Sequence, residues 1–92
     1  MSVKRAKSAR MKKTRKAKQR NQIGLRIKEA RLRRIPSVSQ EDLAGRLAAR
    51  GILIDRSAIS RIEKQTRYVM DYEVAAIASS LGVSVAWLFQ EK

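Results

Sequence analysis

The stretch Ile54–Glu63, with the sequence IDRSAISRIE, decides how this chain is interpreted. On a helix with ~100° per residue, its apolar and its polar side chains separate onto two faces. The apolar face consists of Ala58, Ile59 and Ile62. The opposite face is cationic and hydroxylated, and it consists of Arg56, Ser57, Ser60 and Arg61, with Lys64 just beyond. Such a segment fits either an ordinary amphipathic helix with a solvated face or a helix that lies in a DNA major groove.

The positive charge of the chain is concentrated at its start. The 92 residues carry 22 Lys or Arg and 8 Asp or Glu, which gives a net charge of +14. Residues 1–20 hold ten of the basic residues and no acidic one. We expect a disordered basic arm there, because this composition buries too little apolar surface to offset the entropy of ordering. Residues 21–92 are expected to form one globular domain, and the overall charge favours nucleic acid as a partner.

The composition also argues against several function classes. The sequence contains no Cys and no His, so it lacks the commonest nucleophile, general base and transition-metal ligands. We therefore expect no enzyme activity, no metal and no cofactor. A run of ~20 apolar residues is missing, and so is the apolar segment of a secretory signal. These features predict a cytoplasmic protein without a membrane partner, and Met11 offers an alternative start.

Capping signals divide the globular part into five predicted helices. Their expected starts or caps, in chain order, are Asn21 or Gln22, Ser39, Asp55, Asp71 and Ser84. The expected ends of the first four are Arg34, Gly51, Lys64 and Gly82. The second start is the best marked, because Asp42 stands at N3 of a capping box and Val38 and Leu43 stand where a hydrophobic staple forms. No segment alternates as a strand does, so an all-α five-helix bundle is predicted.

Three motifs then occur in a fixed order along the chain, namely SQEDLA at 39–44, RSAISRIE at 56–63 and SLGVSVAWL at 80–88. Together they resemble the phage repressor and Cro type (Xre-like) of helix-turn-helix domain, and the resemblance covers Ile23–Phe89. It implies a compact bundle of the repressor-like helix-turn-helix type whose third helix enters the major groove. The implied function is a sequence-specific double-stranded DNA-binding transcriptional regulator of the repressor kind, encoded by a bacterium or phage and associated with the nucleoid.

The resemblance also assigns roles to individual residues. Its base-contact positions correspond to Arg56, Ser57 and Arg61, with Ser60 assisting, and these side chains form the polar face described above. Gln40 corresponds to a position that binds a phosphate and supports the recognition helix. The basic residues Lys64 and Arg67 are expected to contact phosphates as well.

One further residue pair, and two differences between this sequence and the family's usual motif, concern the position of the third helix. Arg31 and Glu63 match a pair that the family uses as a partly buried salt bridge, although two solvated charges are the alternative. Between Ala44 and Ile59 the chain has about five residues more than the usual motif. The glycine that usually follows the RIE run is replaced by Lys64-Gln65. The effect of the added residues on how the third helix would sit in the DNA groove stays open.

The sequence leaves the oligomeric state and two other function classes open. A single recognition helix reads few base pairs, so a homodimer on a palindromic site is the usual solution. An antitoxin or another adaptor, whose main partner is an unidentified protein, can share this type of fold. An RNA-binding protein ranks last, because modules that read single-stranded RNA stack bases on aromatic side chains and this chain has only four of them.

Overall fold

In the computed structural model, which describes residues 19–90, five helices surround one core. They are α1 (Gly24–Arg33), α2 (Gln40–Ala49), α3 (Arg56–Glu63), α4 (Asp71–Leu81) and α5 (Val85–Leu88). No strand occurs among the described residues, so the predicted all-α class is confirmed. None of these helices is long and apolar enough to cross a membrane. The disordered arm is predicted for residues 1–20, and residues 1–18 of it lie outside the described part of the chain.

The first helix begins later than the sequence predicts. Asn21 lies before α1, and its Oδ1 accepts hydrogen bonds from the backbone N–H groups of Ile23 and Gly24, at 3.1 and 2.8 Å. The folded part also begins earlier than the predicted boundary at residue 21. Arg20, assigned to the arm from its charge, donates its backbone N–H to the carbonyl of Gln65 at 2.9 Å.

The predicted caps of α2 and α3 are confirmed. The Asp42 N–H donates to Ser39 Oγ at 2.9 Å, and the Ser39 N–H donates to Asp42 Oδ2 at 3.2 Å, which completes the capping box. The Ser39 backbone N–H and then the Ser39 hydroxyl lower the pKa of Asp42, because both stabilise its carboxylate. At α3, Asp55 Oδ1 accepts the N–H of Ala58 at 2.8 Å. Both helices therefore begin where the short polar side chains predict.

The predicted cap of α4 is wrong by one residue. Met70 occupies the N-cap position and Asp71 is already helical. The side chain that binds the cap backbone is that of Glu73, whose Oε1 accepts the Met70 N–H at 2.9 Å. A carboxylate at N3 satisfies the same unpaired N–H groups as a cap residue does, so Asp71 is not needed for this role.

Three residues with positive φ end helices. Gly51 (φ +83°) and Gly82 (φ +70°) follow α2 and α4, as predicted from their lack of a side chain. After α3, Gln65 adopts the same positive φ, at +65°. The chain thus forms the left-handed turn after α3 without the glycine that the resemblance leads one to expect.

One apolar cluster joins all five helices. Its members, all less than a tenth exposed, are Ile23, Ile27, Ala30, Val38, Leu43, Leu47, Ile54, Ala58, Ile59, Ile62, Val74, Ile77, Ala78, Leu81 and Leu88. The sequence GILI of residues 51–54 is too apolar for a free loop and predicts that both isoleucines enter the core, yet only Ile54 is buried, and Ile52 packs at the edge of the core. Trp87 is partly buried and also packs against this cluster.

Candidate nucleic-acid interface

The exposed face of α3 carries cations that no other part of the domain uses. The helix buries Ala58, Ile59 and Ile62 against the core, so its opposite side is turned outward. Arg56, Ser57, Arg61 and Lys64 are exposed there and Ser60 is half-buried. Within residues 19–90, no hydrogen bond or ion pair occupies the side chains of the two arginines or of the lysine. Their donors remain available to a ligand.

A buried ion pair fixes the C-terminal end of this helix. Arg31 Nε donates to Glu63 Oε2 at 2.7 Å, and Arg31 Nη2 donates to Glu63 Oε1 at 2.9 Å. The two side chains are only 8% and 4% exposed. Arg31 Nη1 also donates to the carbonyl of Val38 at 2.9 Å. One guanidinium thus links α1, the segment before α2 and the end of α3, in the bidentate geometry that makes such contacts strong.

Gln40 lies beside this pair. Its Nε2 donates to Glu63 Oε1 at 3.0 Å, and the residue is half-buried. An amide nitrogen carries two hydrogens, so one supports α3 through Glu63 and the other remains for an external acceptor. The support role that the resemblance assigns to Gln40 has a visible contact, whereas the phosphate role stays a prediction.

Arg67 is held by α4 and is not a free surface cation. Its Nη1 and Nη2 donate to Glu73 Oε1 and Oε2 at 3.2 and 3.5 Å, and Nη1 also donates to the carbonyl of Tyr68. This side chain is 29% exposed and that of Glu73 is 9% exposed. The positive charge beside α3 is therefore partly compensated, which sequence spacing did not reveal. The expected phosphate contact of Arg67 stays a prediction.

Two residues that the sequence analysis missed hold the last turn of α3. Asn21 Nδ2 donates to the carbonyls of Ile62 and Arg67 at 3.1 and 2.8 Å, and the Ile62 carbonyl also accepts the Gln65 N–H at 2.9 Å. Gly24 lies directly against the Ile62 carbonyl, where a Cβ atom would collide. A glycine at the start of a helix is the one signal in the sequence that could have indicated this close approach.

An open groove of about 580 Å³ lies between α2 and α3. Its walls come from both helices, from the connection between them and from the loop after α3, and they include Ala44, Gly45, Ala48, Leu53, Asp55, Ala58, Arg61 and Arg67. The segment between Ala44 and Ile59 thus supplies the end of α2 and the connection that borders this groove. No cluster of three or more acidic side chains that could hold a metal occurs in residues 19–90.

Comparisons of the chain with family models, with curated proteins and with solved structures gave no match. The functional assignment therefore rests on the charge, the geometry and the motif order of the chain itself.

Proposed function

We propose that this protein is a sequence-specific double-stranded DNA-binding transcriptional regulator, of the repressor-like helix-turn-helix type, that reads the major groove with α3. The observation that carries this proposal is the face of α3, where Arg56, Arg61 and Lys64 are exposed and unpaired within residues 19–90. A helix with its side chains is ~10–12 Å wide and the major groove is ~12 Å wide, so the two are compatible in size.

The side chains of this face divide into base-reading and backbone-binding groups. Arg56 and Arg61 present planar donor pairs that match guanine O6 and N7, and Ser57 and Ser60 can donate to or accept from several bases. Lys64 and the second amide hydrogen of Gln40 suit phosphate oxygens, which set register but carry no sequence information. The buried contact of Glu63 with Arg31 supports this division, because a rigid helix keeps the donors in one geometry.

The basic arm is attached next to the end of α3. The backbone contact of Arg20 with Gln65 sets this position, and Arg20 Nη1 donates to the Tyr68 hydroxyl at 3.1 Å. Nine of the 22 basic residues precede Gln19. Placed beside the reading face, they would neutralise phosphates and release counterions, which raises affinity for every duplex alike.

Replacing Arg61 with alanine should relax sequence preference. The discrimination at one base pair should fall about 5- to 150-fold, the equivalent of losing one bidentate contact of ~1–3 kcal/mol. The measurement is selection of duplexes from a random pool, followed by titration of the selected site and of its single-base variants. Arg33→Ala is the matched control, because it removes the same charge from a side chain that pairs with Glu29 on α1. An equal loss of base-pair discrimination in Arg61→Ala and Arg33→Ala, or the absence of any preferred duplex for the wild type, would contradict the proposal.

Deleting residues 2–18 should weaken binding to all duplexes alike and reduce its dependence on salt. Each phosphate contact adds ~0.9 to the slope of log K against log salt, and the deletion removes nine basic side chains. The deletion should stop at Lys18, because Gln19 and Arg20 contact the folded part. The check is a series of dissociation constants between ~50 and ~200 mM salt. An unchanged slope, or a changed sequence preference, would show that the arm acts differently.

A protein partner is the second candidate, and it includes a homodimer on a palindromic site. The observation that favours it is a pair of large apolar side chains on one side of α1, Leu25 and Leu32, which are 58% and 53% exposed and are separated by Lys28 and Glu29. Contiguous exposed apolar surface marks contact sites, and these two leucines are what α1 offers to one. A pull-down that returns a stoichiometric protein partner, together with no preference of this chain among duplexes, would favour the adaptor. Competition between duplex DNA and folded RNA for the chain would separate DNA binding from the third class, an RNA-binding protein.

A further inference from the structure

Leu53 is a large apolar side chain that the fold turns outward. It is 87% exposed, whereas the next residue, Ile54, is 3% exposed. The connection between α2 and α3 is non-helical, and burial alternates along it, because Ile52 packs at the edge of the core, Leu53 is exposed and Ile54 is buried. Burying Ile54 in the core therefore forces Leu53 into solvent.

The position of Leu53 is at the N-terminal end of α3. It precedes the cap residue Asp55 by two positions, and it lines the groove together with Arg61 and Arg67. The α2 side of that groove is made of small residues, and a Cβ atom added at Gly45 would meet no atom within 4 Å. The groove beside the leucine is open, and its one unpaired cation within residues 19–90 is Arg61, because Arg67 is bound to Glu73. The Asp55 carboxylate in the lining already caps α3, so the cation that remains available favours a polyanion as the occupant.

On this basis we propose that Leu53 is a specificity-determining residue that contacts the 5-methyl group of a thymine at the edge of the site read by α3. The inference rests on the proposed DNA-binding function. Thymine is the only common base that presents a methyl group in the major groove. Arginine selects guanine through hydrogen bonds, whereas an apolar side chain distinguishes thymine by removing that methyl group from water. The leucine then adds a second kind of selectivity beside the arginines.

The test replaces each thymine of the selected duplex, one at a time, with deoxyuridine, which lacks only the methyl group. For the full chain, one replacement should weaken binding about three- to fivefold, equivalent to the ~0.8 kcal/mol of burying one such group. For Leu53→Ala, the thymine and deoxyuridine duplexes should bind equally at that position. Ile35→Ala is the matched control, because it truncates a large apolar side chain that is 97% exposed outside the groove, and it should keep the ratio of the full chain.

Two results would overturn the inference while leaving the proposed function intact. One is a preferred duplex in which no thymine is sensitive to the replacement. The other is a Leu53→Ala variant that keeps the ratio of the affinities for the thymine and deoxyuridine duplexes. If sedimentation then also shows a changed oligomeric state, the leucine belongs to a protein contact. The absence of any preferred duplex would instead contradict the proposed function itself. Far-UV circular dichroism should report an unchanged fold, because the side chain is exposed.

Discussion

Replacing Glu63 with alanine should lower the free energy of unfolding by about 3–5 kcal/mol. The change leaves the Arg31 guanidinium buried, with Nε and Nη2 deprived of their acceptors. It also removes the acceptor of Gln40. A buried charge without a partner is far more costly than an exposed one, and typical domains are stable by only ~5–15 kcal/mol. Urea denaturation followed by far-UV circular dichroism measures the loss.

The control for this variant breaks an exposed ion pair of the same type. Arg33 Nη1 lies 3.1 Å from Glu29 Oε2, but the arginine side chain is 65% exposed. Arg33→Ala should therefore cost less than about 1 kcal/mol. If Glu63→Ala cost no more than this control, the buried pair would not anchor α3. The double variant Arg31→Met/Glu63→Leu should recover part of the loss, because it removes both charges from the interior.

Replacing Gly24 with alanine should destabilise the domain by about 1–3 kcal/mol, although alanine is usually the better helix former. The added Cβ would collide with the Ile62 carbonyl oxygen and would approach the Glu63 carbonyl oxygen to 3.0 Å. These are backbone atoms of the last turn of α3, and the side chain of Ile62 is fixed in the core. The clash is therefore relieved only by moving α3 away from α1.

Gly45→Ala is the matched control, with the opposite sign. Gly45 lies inside α2, and its added Cβ would meet no atom within 4 Å. The substitution should raise the free energy of unfolding by about 0.5–1 kcal/mol, because it reduces the entropy that the backbone loses on folding. Thermal and urea unfolding of the two variants give the comparison. A neutral or stabilising effect of Gly24→Ala would show that α3 does not approach α1 as closely as the structure has it.

The parts of the fold that could be predicted from the sequence are those governed by neighbours within one helical turn. Ser39 with Asp42, and Asp55, marked the starts of α2 and α3, because a cap bonds to backbone groups only three residues away. The same reasoning failed at α4, where Glu73 binds the cap backbone and Asp71 does not. Asp71 as a cap residue and Glu73 as an N3 carboxylate are both local signals for a helix start, and the sequence alone does not show which of them binds the backbone.

The candidate site was predicted less completely than the fold. The helical wheel separated Ile59 and Ile62 from Arg56 and Arg61, because 3.6-residue periodicity fixes which side chains share a face. The pairing of Arg31 with Glu63 was suggested by the resemblance and not by spacing, since the two residues stand 32 positions apart. No periodicity relates residues so distant in the chain.

The sequence by itself determined that the segment Ile54–Glu63 contains an amphipathic helix with a cationic face, because that property depends on the order of residues along one helix. Only the tertiary structure decided which cations stay free. It engages Arg67 with Glu73 and leaves Arg56 and Arg61 unpaired within residues 19–90. It also brings Gly24 against α3 and turns Leu53 outward. Ion pairing and exposure depend on distances between packed elements, which sequence separation does not encode.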